Sequence, residues 1–399
     1  MLTIEQTLER MLAAARPIAG VEELATRLAG GRVLAQDVVA QVDVPPLDNA
    51  QMDGYALRCA DALEVPARLP VPLRITAGQA PSTLPAAVAA RIFTGAPIPH
   101  GCDTVVMQED TRAEDGQVVV LKKPEPGQWI RRAGSDIGCG SVALPAGLAL
   151  RAQHLGVAAS VGAAKLCVVR RPQVALFCTG DELAMPGEAI APGRIYNSNR
   201  FVLAGLLESL GCVVQDLGIV PDSLPATRAA LQRAASDADL VLSSGGVSVG
   251  EEDHVRAALE SLGELHLWQI AMKPGKPVAF GRVQGVPFIG LPGNPVSSFV
   301  TFVLLVRPFL LHCLGMRELE PQAYILRADF SHRGDPVRRE FLRARINASG
   351  AVELYPSQSA AVLSSVAWAH GLVDLAPGAS VAPGQAVRFL SLAELAGPA

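Results

Sequence analysis

Asp239-Leu240-Val241-Leu242-Ser243-Ser244-Gly245-Gly246-Val247-Ser248-Val249-Gly250-Glu251-Glu252-Asp253 opens as a short apolar strand and breaks into a loop of serines and glycines ending in three carboxylates. An unbroken apolar run suits a strand buried on both faces, and an open parallel sheet binds its ligands in the loops at the carboxyl ends of its strands. Reading outward, residues 174–178 form a second such run, ending in Thr179-Gly180-Asp181-Glu182. Between the two, Asn199 is placed to cap a helix carrying Val202, Leu203, Leu206, Leu207 and Leu210. Apolar runs and helical patterns alternate from about 171 to 315, which predicts a doubly wound α/β domain over residues 171–320, a parallel sheet with crossover helices. Residues 296–314, the most apolar stretch, are interrupted by Arg307 and Pro308 and read as a buried helix rather than a membrane span.

The remainder divides into smaller units. Thr3 is placed to cap a helix with Ile4, Leu8, Met11 and Leu12 on one face, so residues 1–20 are expected to pack a helix on the α/β domain. A second helix is expected over 21–28, within a linker domain formed by 21–43 and 141–170. Over 44–140 prolines such as Pro45, Pro66, Pro97 and Pro124 punctuate strand-like runs at 104–108 and 118–121, the texture of a β-rich domain. After 320, runs at 323–330, 341–346 and 386–392 are divided by turns at Gly334, Gly350, Pro377-Gly378 and Pro383-Gly384, giving a small barrel-like β domain over 321–399.

Composition narrows the function. A chain of 399 residues exceeds one ordinary core, and with 50% hydrophobic and 18% charged residues it has enough apolar surface to fill several. The net charge of −4, with basic residues spread along the chain, argues against a nucleic-acid partner. Glu5, Glu9 and Arg10 interrupt the apolar residues of the N-terminus, so neither an export signal nor a membrane partner is expected. Seven scattered cysteines without a CxxC pair imply reduced thiols and a cytoplasmic protein, not a thiolate metal site. No Walker A loop, GxGxxG turn or Ser/His nucleophile pattern follows a strand, which disfavours ordinary nucleotide sites and acyl transfer.

The chemistry gathers in four loops: the two above, Lys273-Pro274-Gly275-Lys276-Pro277, and Leu291-Pro292-Gly293-Asn294-Pro295. Small residues let backbone N–H groups approach a phosphate, carboxylates hold a divalent cation, and the lysines supply fixed positive charge. Turn building accounts for any one loop, but not readily for four on one sheet rim, which together suit an anionic ligand with Mg2+. In the β-rich segment, Asp53 beside Gly54 and Thr94 beside Gly95 are placed either to cap backbone or to reach a ligand. Arg131-Arg132 is either a solvated pair or a phosphate contact from across a subunit boundary, and Arg343 and Arg345 share a strand face that reads as a soluble edge.

The strings PPLDNAQMDGYA, IFTGAPIPHGCD, TGDEL, SSGGVSVGEEDHV, MKPGKPVAFG and GLPGNPVSS, in this order, resemble the molybdopterin molybdenumtransferase family, MoeA and the gephyrin E domain, over nearly the whole chain. The resemblance implies an elongated homodimer whose active site lies between the α/β domain of one subunit and the β-rich domain of the other. It implies Mg2+-dependent release of AMP from adenylylated molybdopterin, coupled to insertion of molybdate, downstream of a pterin adenylyltransferase. By that resemblance Glu182 and Asp253 hold the metal, with Asp222, Asp53 and Thr94 also catalytic. Lys273, Lys276, Pro277 and Arg338, with Ser364 or Ser365, match the molybdate pocket. Ser244, Gly245, Gly246, Ser248, Pro292, Gly293, Asn294 and Arg131 are implied contacts for the pterin and its phosphates. The other readings are adenylyl transfer to the pterin, which the α/β domain alone resembles, and a binding scaffold. The β-rich and C-terminal segments argue against the first; nothing beyond the enzyme-like portion supports the second.

Overall fold

The computed structural model describes residues 1–246 and 254–397. At its centre is a six-stranded sheet in the order Val213–Val220, Gln173–Thr179, Leu240–Ser244, Val286–Leu291, Pro277–Val283, Gly263–Gln269. The first four run parallel; Pro277–Val283 runs antiparallel to them, and Gly263–Gln269, antiparallel to it in turn, shares the direction of the first four. The doubly wound reading therefore holds with a correction: one of the six strands, Pro277–Val283, reverses direction. The cause is local, because Gln284 and Gly285 both take positive φ, +50° and +88°, forming the tight two-residue turn that returns a chain antiparallel to itself.

Helices cover both faces, and the strand Gln173–Thr179 displays the consequence. Val174 and Leu176 enter one core cluster while Ala175 and Phe177 enter the other, and every residue after Gln173 is buried. The larger cluster holds Pro295–Cys313, a single 19-residue helix that runs through Arg307 and Pro308 and is 89% buried within the protein. It continues past the proline by opening into a π-helical turn at Phe302–Val306. That turn contains Leu304, whose carbonyl lies where the Pro308 ring would otherwise clash.

The N-terminal helix Ile4–Ala14 starts in a capping box between Thr3 and Gln6 and buries Ile4 and Met11 in the same cluster. The helix expected at 21–28 is instead a strand, Val21–Ala25, paired antiparallel with Lys165–Val169, followed by one short turn. Leu24, Ala25 and the two glutamates favour a helix, so it is the ladder with Lys165–Val169 that overrides local propensity. Residues 38–39 pair with 142–144, so the chain leaves this unit and re-enters it. Between lie a four-stranded sheet (Leu73–Ile75, Ala90–Ile92, Gly54–Leu57, Thr104–Met107) and a three-stranded one (Ala67–Pro70, Gln117–Val120, Thr111–Glu114). The C-terminal sheet is built on Arg339–Ile346, flanked by Gly371–Leu375, Val352–Leu354 and Met272–Lys273, the last contributed by the KPGKP loop.

Arg339–Ile346 is consequently an interior strand, not the soluble edge expected from its arginines. Arg343 is 1% exposed and donates to Phe341 O, Ser359 O and Ser365 Oγ, while Arg345 pairs with Glu353 and stacks over Trp368. No carboxylate meets Arg343 among the described residues, and burial pushes its guanidinium down to about 10.

Candidate active site

The rim where the parallel strands end opens into a cleft of about 1140 Å³. Cys178 to Gly180 with Glu182, Ser244 to Gly246 and Pro292 to Asn294 line it from the carboxyl ends of three strands. The KPGKP loop joins them by a different route. It precedes Pro277–Val283, and because that strand is antiparallel its beginning lies at the same rim. A further wall comes from the C-terminal domain, with Arg338 and residues 358–361.

Close backbone approach shapes the floor. Gly245 and Gly246 take φ of +89° and +64°, and a Cβ on Gly246 would sit 2.4 Å from Val255 Cγ2. Asn199 ties two walls together: its Nδ2 donates to Ser244 Oγ at 2.8 Å and to Gly293 O at 2.7 Å. The helix cap expected of Asn199 is made by Asn197, whose side chain accepts from Arg200 N, leaving Asn199 inside the first turn of Ser198–Ser209 and free to face the cleft.

Charge is divided between two groups of loops. From the α/β loops come Glu182 and Asp222; Asp222 and Asp181 exchange backbone-to-carboxylate hydrogen bonds of 3.3 Å each. Burial, and then the charges of Asp181 and Glu182, push the Asp222 carboxyl above its ordinary value. Toward the C-terminal domain are Lys273, Lys276 and Arg338. Lys273 Nζ lies 2.8 Å from Glu340 Oε1, and Arg338 Nη2 lies 2.6 Å from Asp335 Oδ2. Burial raises the Glu340 carboxyl, but hydrogen bonds from Lys273, His332 and the Asp335 N–H outweigh it and leave it below the usual range. Asp335 is held far lower by Arg338 and two backbone N–H groups. Lys276 has no ion-pair partner among the described residues.

The cleft thus gathers Glu182, Asp222, Ser244, Gly245, Gly246, Lys273, Lys276, Pro277, Pro292, Gly293, Asn294 and Arg338. Other expected residues are elsewhere. Ser248 and Asp253 lie outside the described residues. Ser364 and Ser365 do not line the cleft: Ser365 is fully buried between Arg343 and Val362 O, and Ser364 meets the Tyr355 hydroxyl. The short helix Ser364–Trp368 turns both behind the wall, and the serine of this stretch that lines the cleft is Ser359. Asp53, Thr94 and Arg131 stand on the β-rich unit, away from the cleft of their own chain. Asp53 Oδ1 accepts from both Thr94 N and Oγ1 at 2.8 Å, and exposed Arg131 sits opposite Asn49 on a two-residue strand. Among the described residues, no group of three or more His, Cys, Asp and Glu side chains is arranged to hold a metal.

Comparison with known proteins converges on one family. Residues 2–162 match the MoeA N-terminal region (domains I and II), 175–312 a probable molybdopterin-binding domain, and 326–392 the MoeA C-terminal region (domain IV). The molybdopterin molybdenumtransferase of Haemophilus influenzae is 41% identical over 89% of this chain and 89% of its own. The chain belongs to the molybdopterin molybdenumtransferase family. That of Nostoc sp. is 37% identical over 91% of this chain and 87% of its own. Two crystal structures of the molybdopterin biosynthesis protein MoeA from Pyrococcus horikoshii superpose with TM-scores of 0.80 and 0.86, at 31% and 27% identity, over 98% of this chain. They cover 99% and 100% of those chains.

Set in that family, the motifs quoted from sequence account for most of the cleft lining. Asn199, Gln358 and Ser359 were not among them. For Asn199 a signal existed, since Asn197-Ser198-Asn199 offers several capping side chains to one helix and only one is needed.

Proposed function

We propose that this chain inserts molybdate into adenylylated molybdopterin, releasing AMP with Mg2+ and yielding molybdenum cofactor. The observation that carries the reading is the division of charge within one cleft. Carboxylates stand on the α/β loops, while lysines and an arginine gather toward the C-terminal domain, so a linkage that needs a divalent cation and a tetrahedral dianion each have a suitable place.

In this reading the glycine turn at 245–246 and the turn at 292–294 receive the pterin and its phosphates through backbone N–H groups, and Asn199 holds the two turns at fixed separation. Glu182, Asp222 and Asp253 hold Mg2+. The donor set fits: Asp222 is raised partly by neighbouring carboxylates, a repulsion that a hard dication relieves. When bound, Mg2+ supplies charge neutralisation at the phosphoanhydride. Water breaks that linkage, AMP leaves, and the remaining phosphate stays on the pterin. Lys276, Lys273, Arg338 and Ser359 hold molybdate against the dithiolene; as both sulfurs bond to molybdenum, one oxo group leaves with the two thiol protons as a single water. Asp53, Thr94 and Arg131 come from the second subunit of a homodimer. The protein works in the cytoplasm and takes its substrate from a pterin adenylyltransferase.

The test is AMP release by purified protein given adenylylated molybdopterin and Mg2+, with and without molybdate. The expected result is release that depends on molybdate. Pyrophosphate formed from ATP and unmodified pterin would instead assign the chain to the preceding adenylyl transfer.

A further inference from the structure

The three cations of the cleft are not equivalent. Arg338 is locked in the turn it helps to form, because Asp335 accepts from its guanidinium and also from the backbone N–H groups of Val337 and Arg338. Lys276 is unpaired among the described residues. Lys273 is between these extremes. It lines the cleft with 47% of its side chain exposed, yet its ammonium rests on Glu340, a carboxylate only 2% exposed.

Sheet pairing explains how that contact arises. Residues 272–273 lie parallel to 339–340 with Lys273 directly opposite Glu340, so the loop of one domain is an added strand of the other and the two side chains share a face. Glu340 has further donors: His332 Nε2 at 2.8 Å and Asp335 N at 3.1 Å, both to Oε2. The carboxylate therefore keeps hydrogen-bonded support if the lysine swings away, and among the described residues the lysine is the only one of its partners that lines the cleft.

We propose that Glu340 is an internal competitor for the oxyanion substrate: it holds Lys273 when the pocket is empty and yields it to the incoming dianion, with His332 retaining the carboxylate. This deepens the reading of the cleft as a molybdate site and rests on it. The arrangement sets affinity rather than chemistry. A buried carboxylate beside a lysine lowers the attraction for any anion, and the lysine's exchange between two partners makes the bound state easy to leave, as a substrate delivered to waiting thiols requires.

Equilibrium dialysis with molybdate ion alone distinguishes this role from simple bracing, because the two predict opposite signs. If Glu340 competes, Glu340→Gln tightens molybdate binding several-fold, Lys273→Met weakens it by on the order of 10-fold, and the double variant binds as weakly as Lys273→Met. His332→Ala, at a more exposed site, leaves Glu340 more dependent on Lys273 and weakens binding; this variant carries the test if Glu340→Gln does not fold. Binding by Glu340→Gln that is unchanged or weaker, or by His332→Ala that is unchanged or tighter, overturns the competitor role and leaves the molybdate reading standing. Absence of saturable molybdate binding in the wild type, or binding indifferent to Lys276→Met and Lys273→Met together, overturns both.

Discussion

At the scale of single residues, the cleft separates groups that meet substrate from groups that hold others in place, and Asn199 is the clearest of the second kind. Its amide makes two hydrogen bonds, each worth about 1 kcal/mol net, so Asn199→Ala is expected to lower unfolding free energy by about 1–2 kcal/mol. Its larger effect is on geometry: once the turns at 244–246 and 292–294 drift apart, kcat/KM falls on the order of 10- to 100-fold. Asn199→Asp should be worse than Asn199→Ala, because a carboxylate faces the Gly293 carbonyl; equal activity of the two would remove the bridging role. Asp222 sets a second expectation. Burial and neighbouring carboxylates raise its folded pKa, so the charged form is disfavoured in the native state, and stability from this group is gained as pH falls through that value. A bound dication reverses the balance. Rising Mg2+ should move the acid limb of the kcat/KM profile to lower pH, and Asp222→Asn should abolish that movement; a limb fixed across Mg2+ concentrations would separate Asp222 from the metal. Glu182 was legible because it sits in a marked loop, whereas Asp222 entered only through the family resemblance; which serine lines the cleft was not legible, because only three-dimensional packing buries Ser365 against Arg343, sets exposed Ser364 against Tyr355 and places Ser359 at the cleft.

At the scale of elements, reading failed where local pattern and tertiary pairing disagree. Residues 21–25 have no strand alternation, yet they complete a ladder with Lys165–Val169 from 140 residues downstream. Arg339–Ile346 carries arginines suited to an edge, yet strands from both sides enclose it. By contrast the core strand Gln173–Thr179 and the helix Pro295–Cys313 were legible, because continuous apolarity leaves a segment nowhere to go but the interior. The antiparallel return at Gln284-Gly285 is the element that brings Lys276 and Pro277 to the ligand rim, so its turn can be tested directly. Gly285 has open space where a Cβ would go, and only its φ of +88° opposes a side chain. Gly285→Ala is therefore expected to cost about 1–2 kcal/mol by denaturant unfolding without displacing any neighbour. Since the cleft end of the strand is far along the ladder, turnover should hold near the wild-type rate; loss of activity at unchanged stability would contradict this division.

At the scale of the whole molecule, the open question is why Asp53, Thr94 and Arg131 stand apart from the cleft of their own chain. Asp53 and Thr94 bond one another in an exposed turn, a cost-free arrangement that also suits a surface completed by a second copy. The proposed homodimer makes a numerical prediction. Let one chain carry Asp53→Ala and the other Lys276→Met, each inactive as a homodimer. If every site combines Asp53 of one subunit with Lys276 of its partner, a mixed dimer holds one site with both defects and one with neither. Random pairing makes about half of the dimers mixed, so activity should return to about one quarter of the wild-type value as an estimate from closed two-fold assembly. If instead Asp53 served the cleft of its own chain, every site in every dimer would carry one defect, and refolding the two variants together would restore nothing. Co-refolding followed by an AMP-release assay reads the difference, with each variant refolded alone as the zero. Because the sites share no residue, the quarter should be reached without any change in the KM of the surviving site.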